Sequence, residues 1–393
     1  MTRKEFVKIC GVLGISLPFQ TVLASCDNSD DNVKPTIFSG TVLIIGAGAA
    51  GMSTAYLLAQ KGIDFKILEA STTYGGRIKH DTTFADFPIP LGAEWLHVDR
   101  TVFDTAVNND AVDIKTNTKG YAVNDLVGYY DGTYATTSLS RAFGSFEDQK
   151  FINSSWLDFF ETYIVPSIQL QFTFKTQVSS INYEGDKVIV KDINDQTFEA
   201  DKVVITVPLK MLQKNSISFT PSLPDNKQKA IQNAPVWGGI KVFIEFTEKF
   251  YPVYLTFPDS ETSVGQRLYY DASYGQNSTK NIIGLFAVGE QAQQYQNLSE
   301  SAQRDFILKE LDTIFEGKAS ANYVKHIVQN WDEEPFIQGA YLADNASSRT
   351  SRILSSSVNN KLYFAGDAYT QEADWGAVHN AIRSAKDVVE EIA

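Results

Sequence analysis

The amino-acid sequence predicts an α/β protein whose first domain is a doubly wound parallel sheet. The run Thr41–Ile45 is apolar and rich in β-forming residues, which is typical of a buried strand. Met52–Lys61 has helical spacing and ends at Gly62, and Phe65–Leu68 is predicted to be a second strand. A strand, a helix and a strand in succession indicate a βαβ unit, from which such sheets are built.

Three glycines in the pattern GxGxxG join the first strand to the helix. In this setting the first permits a tight turn, the second lets a pyrophosphate approach the helix N-terminus, and the third allows close helix–sheet packing. An acidic residue after the second strand is expected to hold an adenosine ribose through its hydroxyls. A glycine-rich turn in an unrelated α/β fold is the alternative, and the strand–helix–strand context argues against it. The residues predicted to bind a nucleotide here are Gly46, Gly48, Ala49, Ala50, Gly51, Glu69 and Ala70.

The composition is that of an ordinary globular protein. The chain has 393 residues, of which 43% are hydrophobic and 21% charged, so it is long enough for two intertwined domains around a large core. The net charge is −13 and no basic cluster compensates it, which argues against nucleic-acid binding. The sequence does not determine the oligomeric state.

Residues 1–26 resemble an export signal. Arg3, Lys4 and Lys8 precede the apolar stretch Ile9–Leu23, which is too short and interrupted to span a membrane. The stretch ends in Leu-Ala-Ser-Cys, similar to a bacterial lipobox, so Cys26 is expected to carry a lipid anchor. A plain signal peptide and a twin-arginine signal are the alternatives. We therefore expect a bacterial cell-envelope protein, periplasmic or at the cell surface, attached to the membrane only through Cys26, with residues 27–39 as a flexible tether.

Cys10 and Cys26 are the only cysteines, and both lie in this leader. The mature chain is therefore predicted to have no internal disulfide and no cysteine metal site. Four histidines in the whole chain show no spacing typical of a metal site, so no metal is expected.

Two motifs after Glu69 resemble the flavin-containing amine oxidase family, of the monoamine and polyamine oxidase type. Gly75-Gly76-Arg77 is similar to the family's second dinucleotide signature, and "PLGAEWLHV" at 90–98 is similar to an element beside the flavin. The resemblance implies that Arg77 covers the pyrophosphate, for which its planar fork is suited. It also implies flavin contacts for Gly76, Gly92, Ala93, Glu94 and Trp95. For His97, a structural role is as plausible as a functional one.

The resemblance continues to the C-terminus, so that it covers residues 40–393. The spacing of Trp331 and Tyr341 in "QNWDEEPFIQGAY" is that of monoamine oxidases, and Ala340 stands where those enzymes attach flavin through a cysteine. The implied cofactor is therefore noncovalent FAD. The second tyrosine of the monoamine oxidase cage falls at Ala377, with Trp375 nearby as a partial replacement. The further cofactor-binding residues that the resemblance implies are Val178, Trp331, Gly366, Asp367, Gly376, Ala377 and Val378.

Lys241 lies in the alternating run "GGIKVFIEF". The alternation alone favours a lysine on the solvated face of a half-buried strand, because lysine is rarely buried. The family resemblance instead places a lysine here beside flavin N5, and implies that Lys241, Phe243 and Glu245 face the flavin cavity or its rim. Lys241 and Tyr341 are accordingly the predicted catalytic residues.

The resemblance implies a chain order in which the two domains alternate. The FAD-binding parts are predicted at residues 40–112, 170–234 and 335–393, and the parts of a smaller, antiparallel substrate domain at 113–169 and 235–334. The implied reaction is oxidation of a small-molecule amine to an imine by hydride transfer to flavin N5, followed by flavin reoxidation by dioxygen to give hydrogen peroxide. The alternatives are an amino-acid oxidase or desaturase-like relative, and a non-catalytic FAD-binding lipoprotein.

Overall fold

A five-stranded sheet in which all strands are parallel forms the base of the nucleotide-binding domain. The computed structural model describes residues 38–371, 374 and 376–393, so that the leader, Cys26, most of the tether and Trp375 lie outside the described residues. The sheet has the order β10-β2-β1-β14-β24. Its strands are β1 (Thr41–Ile45), β2 (Asp64–Leu68), β10 (Phe172–Thr173), β14 (Lys202–Ile205) and β24 (Leu362–Phe364).

Two further sheets account for most of the remaining strands. A four-stranded sheet has the order β13-β12-β11-β15. Its strands are β11 (Val178–Asn182), β12 (Val188–Asp192), β13 (Thr197–Ala200) and β15 (Ser218–Thr220). An eight-stranded sheet runs β22-β17-β21-β20-β18-β7-β8, with β19 paired to β20. Its strands are β7 (Leu126–Tyr130), β8 (Tyr134–Ser138), β17 (Gly239–Phe246), β18 (Tyr254–Thr256), β19 (Glu261–Thr262), β20 (Gly265–Asp271), β21 (Asn281–Gly289) and β22 (Tyr323–Asn330).

Short strands, twelve α-helices and the two 3₁₀ helices Gly76–Ile78 and Gln169–Gln171 complete the described elements. The short strands are β3 (His80–Asp81), β4 (Ile89–Pro90), β5 (Trp95–Leu96), β6 (Thr118–Gly120), β9 (Gln149–Phe151), β16 (Val236–Trp237) and β23 (Tyr341–Leu342). The helices are α1 (Ala49–Gln60), α2 (Thr101–Val107), α3 (Leu139–Phe143), α4 (Trp156–Tyr163), α5 (Val165–Ile168), α6 (Leu209–Gln213), α7 (Asp225–Asn233), α8 (Glu290–Gln296), α9 (Glu300–Ile314), α10 (Lys318–Asn322), α11 (Ser348–Ser355) and α12 (Val378–Ile392).

The parallel sheet is the middle layer of the nucleotide-binding domain. Because side chains alternate along a strand, Val42 and Ile44 pack with α1 and α12 on one face. Leu43 and Ile45 pack on the other face against the four-stranded sheet. Burial on both faces explains the continuous apolar run of β1, and the predicted doubly wound α/β fold is confirmed.

Strand β17 is buried along its whole length, so the sequence pattern of one apolar and one solvated face was incomplete. Ile240, Val242 and Ile244 pack with α8 and α9 on one side of the eight-stranded sheet. The opposite side of the strand is covered as well, since Phe243 belongs to a second apolar cluster. The polar residues of the strand therefore need partners within the protein.

The five parallel strands come from the three chain segments predicted for FAD binding, and the eight-stranded sheet comes from the two segments between them. The boundaries of the domains stay a prediction. Among the described residues, no helix has both the length and the apolar character that a membrane crossing requires.

Candidate active site

A cavity of about 550 Å³ runs from the carboxyl edge of the parallel sheet to the eight-stranded sheet. The predicted site residues, which are scattered between positions 46 and 378, all line it with the exception of Gly51. Ligands of open parallel sheets bind at this edge, where the strand order reverses. The structure thus brings the predicted residues together, while their contacts with a bound cofactor stay a prediction.

The glycine loop has the backbone geometry that its sequence predicts. Gly46 has a φ of +107°, a conformation that favours glycine. A Cβ on Gly51 would lie 2.0 Å from the carbonyl oxygen of Gly46, whereas a Cβ on Gly48 would meet nothing closer than 4.0 Å. Gly51 therefore permits backbone packing, and Gly48 leaves open space next to the first amides of α1, which have no partner within the helix.

Glu69 is held in place beside that loop. One of its carboxylate oxygens accepts a hydrogen bond from the Ala47 amide at 2.7 Å and the other accepts one from the Ser71 amide at 2.8 Å. The carboxylate is thereby fixed at the end of β2, where it lines the cavity. This position agrees with the ribose-binding role expected of Glu69.

Arg77 and Asp367 form a forked ion pair across 290 positions of sequence. Their two contacts measure 2.8 and 2.5 Å, and the same guanidinium also donates to the Ala340 carbonyl at 2.5 Å. A Cβ on Gly92 would lie 1.9 Å from the Arg77 carbonyl oxygen, so the two predicted motifs meet at backbone contact. The pair gives the cavity wall both an arginine and an acid, and their roles towards pyrophosphate and ribityl chain stay predictions.

Lys241 is 3% exposed, so a position on the solvated face of its strand is wrong. Its Nζ donates to Glu94 Oε2 at 2.6 Å, and burial lowers the pKa of Lys241 while the Glu94 carboxylate opposes that shift. The expectation that Phe243 and Glu245 face the cavity or its rim is also wrong. Phe243 packs in an apolar cluster, and Glu245 is paired with Lys280 at 2.6 Å, because the strand leads away from the cavity.

Tyr341 lines the cavity with its ring held from two sides. Its centroid lies 6.1 Å from that of Trp237, and a Cβ on Gly376 would lie 3.0 Å from its Cδ2 atom. Ala377 also lines the cavity, so the position of the second cage tyrosine is occupied by a methyl group. Trp375, the suggested partial replacement, is outside the described residues.

Sequence reasoning left the role of His97 open and missed other residues of the cavity and its floor. His97 Nδ1 lies 3.0 Å from Asp148 Oδ1, and both side chains line the cavity. Lys150 lies 2.9 Å from Glu94, and Tyr270 donates its hydroxyl to the same carboxylate. Asp148 precedes the short strand β9 and Lys150 lies within it. This is a weak signal, because nothing in the sequence relates this stretch to the element at 90–98. Phe286, Leu268 and Gln266 complete the wall on the sheet side.

The geometry fits FAD. A pyrophosphate would be cradled by the turn at Gly46, the open space at Gly48 and the unpaired amides of α1. Glu69 stands where a ribose would bind. The cavity then continues to Lys241 and Tyr341, which leaves room for a second ring system beyond the nucleotide.

Comparisons with known proteins agree with this site. Residues 162–393 match the family described as flavin containing amine oxidoreductase, and residues 44–106 match an NAD(P)-binding Rossmann-like domain. Polyamine oxidase 3 of Oryza sativa subsp. japonica is 23% identical, with 94% of this chain and 92% of that protein covered. Human lysine-specific histone demethylase 2 is also 23% identical, but the match covers only 56% of its length.

The fold is also found among solved structures. Wild-type putrescine oxidase bound to putrescine superimposes with a TM-score of 0.73 at 16% identity, covering 90% of this chain and 99% of that one. The predicted FAD cofactor and enzyme class are confirmed. The chain is a flavin-dependent oxidoreductase, and it belongs to the family of flavin-containing amine oxidoreductases.

Proposed function

We propose that this protein oxidises a small-molecule amine to an imine at noncovalently bound FAD, with dioxygen as the electron acceptor and hydrogen peroxide as a product. The observation that carries the proposal is the single cavity that joins the glycine loop to Lys241 and Tyr341. When bound, FAD supplies the hydride acceptor, and the chain supplies binding, orientation and exclusion of water.

The sheet side of the cavity suits an amine with an apolar body. Phe286 and Leu268 contribute apolar wall, and the Tyr341 ring offers a face that attracts a cation or orients a nitrogen. Asp148 and Asp344 add carboxylates to the lining, which favour a positively charged substrate. Polyamines or primary amines are therefore the proposed substrate class.

A hydride leaves a neutral amine more readily than an ammonium ion, so the bound amine has to give up a proton. His97 is placed for this step, because Asp148 orients its ring through Nδ1 and leaves Nε2 as the accepting nitrogen. We propose His97 Nε2 as the acceptor of that proton.

The described arginines argue against an amino-acid substrate. An amino-acid oxidase would need an arginine for the substrate carboxylate, and the sequence offers Arg141, Arg267, Arg349 and Arg352, none of which lines the cavity. Arg267 pairs with Glu310 at 2.6 Å and with Asp259 at 2.9 Å. Arg77 is the one arginine among the described residues that lines the cavity, and Asp367 engages it in two contacts. Neither is available at the sheet side of the cavity for a substrate carboxylate.

An anaerobic bleaching experiment tests the proposal. Protein lacking residues 1–26 is purified with its flavin and mixed, without oxygen, with panels of amines and amino acids. We expect amines to bleach the visible flavin absorbance and oxygen to restore it with release of peroxide. Bound flavin that no amine bleaches supports the non-catalytic alternative, and bleaching by amino acids alone supports an amino-acid oxidase.

We further propose export and lipid attachment at Cys26, supported by the lipobox-like Leu-Ala-Ser-Cys sequence. Cells that express the whole chain should incorporate labelled fatty acid into it and retain it in the membrane fraction. Cys26→Ala should abolish both, and Cys10→Ala, as the matched control, should change neither. Labelling that persists in Cys26→Ala contradicts the proposal.

A further inference from the structure

Beneath the cavity, one buried carboxylate lies between two buried lysines. Glu94 Oε2 accepts a hydrogen bond from Lys241 Nζ at 2.6 Å, and Glu94 Oε1 lies 2.9 Å from Lys150 Nζ. All three side chains are at most 3% exposed. Because a charge removed from water is costly unless it is paired, the single Glu94 carboxylate has to serve two cations.

Each ammonium group is also held by backbone carbonyls of a separate chain segment. Lys241 Nζ donates to the carbonyl oxygens of Pro90 and Gly92, both at 3.1 Å. Lys150 Nζ donates to the carbonyl oxygens of residues 271 and 272, at 3.3 and 2.7 Å. Three acceptors match the three protons of the Lys241 ammonium group, and two carbonyl oxygens and an ion pair hold Lys150, so both lysines are positioned rather than loosely packed.

The sheet register places Lys150 opposite the residue that follows Glu94 in the chain. Strand β9 lies between β5 and β6, where Lys150 is opposite Trp95 on one side and Lys119 on the other. Lys119 is exposed, whereas Lys150 is 2% exposed. Lys241 lines the cavity and Lys150 does not belong to its described lining. The two lysines therefore differ in access to a ligand although they share a carboxylate.

Two ammonium groups and one carboxylate leave an excess positive charge in a buried place. Burial is the main cause that lowers the pKa of Lys241. The Glu94 carboxylate raises this pKa, and the charge of Lys150 lowers it further. Tyr270 donates its hydroxyl to Glu94, and burial raises the pKa of Tyr270, so it stays a neutral donor. Glu94, Lys150 and Tyr270, from three different segments, are the titratable groups that face Lys241 in the described chain.

We propose that Lys150 is a positioning residue for Lys241: it shares the Glu94 carboxylate, and its charge lets the Lys241 amine release and regain a proton at the cavity wall. Without Lys150, Glu94 would hold the ammonium form of Lys241 more strongly. The inference rests on the proposed function only in placing Lys241 beside the reacting groups, since the cluster itself is formed by the chain alone.

The test measures the protonation of Lys241 directly in the holoenzyme. Lysine is isotopically labelled at Cε, and the NMR resonance that is missing from Lys241→Met is assigned to Lys241. The midpoint of the Lys241 titration is then read from the change of this resonance with pH. In Lys150→Met we expect this midpoint to rise by about one to two pH units, which is the size of shift that a nearby charge typically produces. Lys150→Arg keeps the charge and should keep the midpoint.

Lys119→Met is the matched control, because Lys119 is exposed on the neighbouring strand directly opposite Lys150. In Lys119→Met the titration midpoint of Lys241 should equal that of the wild type. If Lys150→Met does not fold, Glu94→Gln serves instead, and removal of the counter-charge should lower the midpoint. A wild-type midpoint at or above that of an ordinary lysine, or no change in either variant, overturns the proposal.

The pH profile of flavin reduction separates this proposal from the proposed function. If the midpoint and the profile both move in Lys150→Met, both ideas are supported. A moved midpoint with an unmoved profile keeps the role of Lys150 and contradicts the catalytic role of Lys241. An unmoved midpoint contradicts the role of Lys150 whatever the profile does.

Discussion

At the scale of single residues, burial changed the meaning of Lys241. A lysine in an alternating strand is ordinarily a solvated residue, and here its Nζ has three acceptors, one of which is the Glu94 carboxylate. Buried ion pairs need further hydrogen bonds to persist, and here the carbonyl oxygens of Pro90 and Gly92 supply them to Lys241. Such an arrangement, at the wall of a cavity, is typical of functional sites.

Replacement of Lys241 by methionine should affect the reaction more than the binding of cofactor. We expect Lys241→Met to retain FAD and to slow flavin reduction or reoxidation by about tenfold or more, as measured from the two half-reactions by stopped flow. Lys79→Met is a useful control, because Lys79 also lines the cavity but pairs with a different carboxylate, that of Glu334. Half-reaction rates equal to those of the wild type in Lys241→Met would remove the catalytic role.

At the scale of elements, the glycine loop contains glycines with two different roles. Gly48→Ala places its methyl group into open space of the cavity, so we expect an apoprotein of nearly unchanged thermal stability with much weaker FAD binding. Gly51→Ala places a methyl group 2.0 Å from a backbone oxygen, so the apoprotein itself should be destabilised. Thermal unfolding of apoproteins and FAD titrations measure both effects, and equal stability of the two apoproteins would contradict the distinction.

A buried lysine closes the end of helix α11. Lys227 Nζ donates to the carbonyl oxygens of Ile353, Leu354 and Ser356 at 3.0, 2.8 and 2.6 Å. These are carbonyls of the last helical turn and just beyond it, which a helix cannot satisfy by itself. Without Lys227 they would lose their partner, so Lys227→Met should lower the free energy of unfolding by about 1–3 kcal/mol.

The same lysine should make stability depend on pH. Burial lowers the pKa of Lys227 from 10.5 to about 7, so between these values the unfolded chain binds more protons than the folded one. The stability contributed by Lys227 should therefore rise with pH from about 7 towards 10.5 and be lost as pH falls through about 7. Denaturant titrations across this range should show Lys227→Met furthest below wild type at high pH. Lys229→Met, on the exposed side of the same helix, should show no such trend.

At the scale of the whole molecule, distant segments meet to build one cavity. Arg77 and Asp367 are joined by a forked ion pair, and Glu94, Lys150 and Lys241 come from three separate stretches of chain. Both domains therefore contribute walls, so the cavity exists only when both have folded and packed together.

The flavin should be released when the whole protein is unfolded. By the family resemblance, Ala340 stands where monoamine oxidases carry the attaching cysteine, and the only cysteines of the sequence are Cys10 and Cys26. Acid precipitation of the holoenzyme should leave all of the flavin in the supernatant as intact FAD, as measured by absorbance and chromatography. Flavin that stays with the pellet would show a covalent bond to another residue.

Local sequence determined the nucleotide-binding half of the site. The βαβ unit, the roles of Gly46, Gly48 and Gly51, and the position of Glu69 follow from backbone sterics and from residues close in sequence. The family resemblance then supplied the remaining predicted residues, and nearly all of them line one cavity.

Only the tertiary structure decided which charges share that cavity and its floor. The pairing of Glu94 with Lys150 and Lys241, and of His97 with Asp148, joins segments that are 51 or more positions apart. The pattern of β17 could not show that both of its faces are covered, because periodicity records the alternation of side chains and not what packs against them. The sequence by itself thus determined the cofactor class and the fold, while long-range packing decided the electrostatics around Lys241.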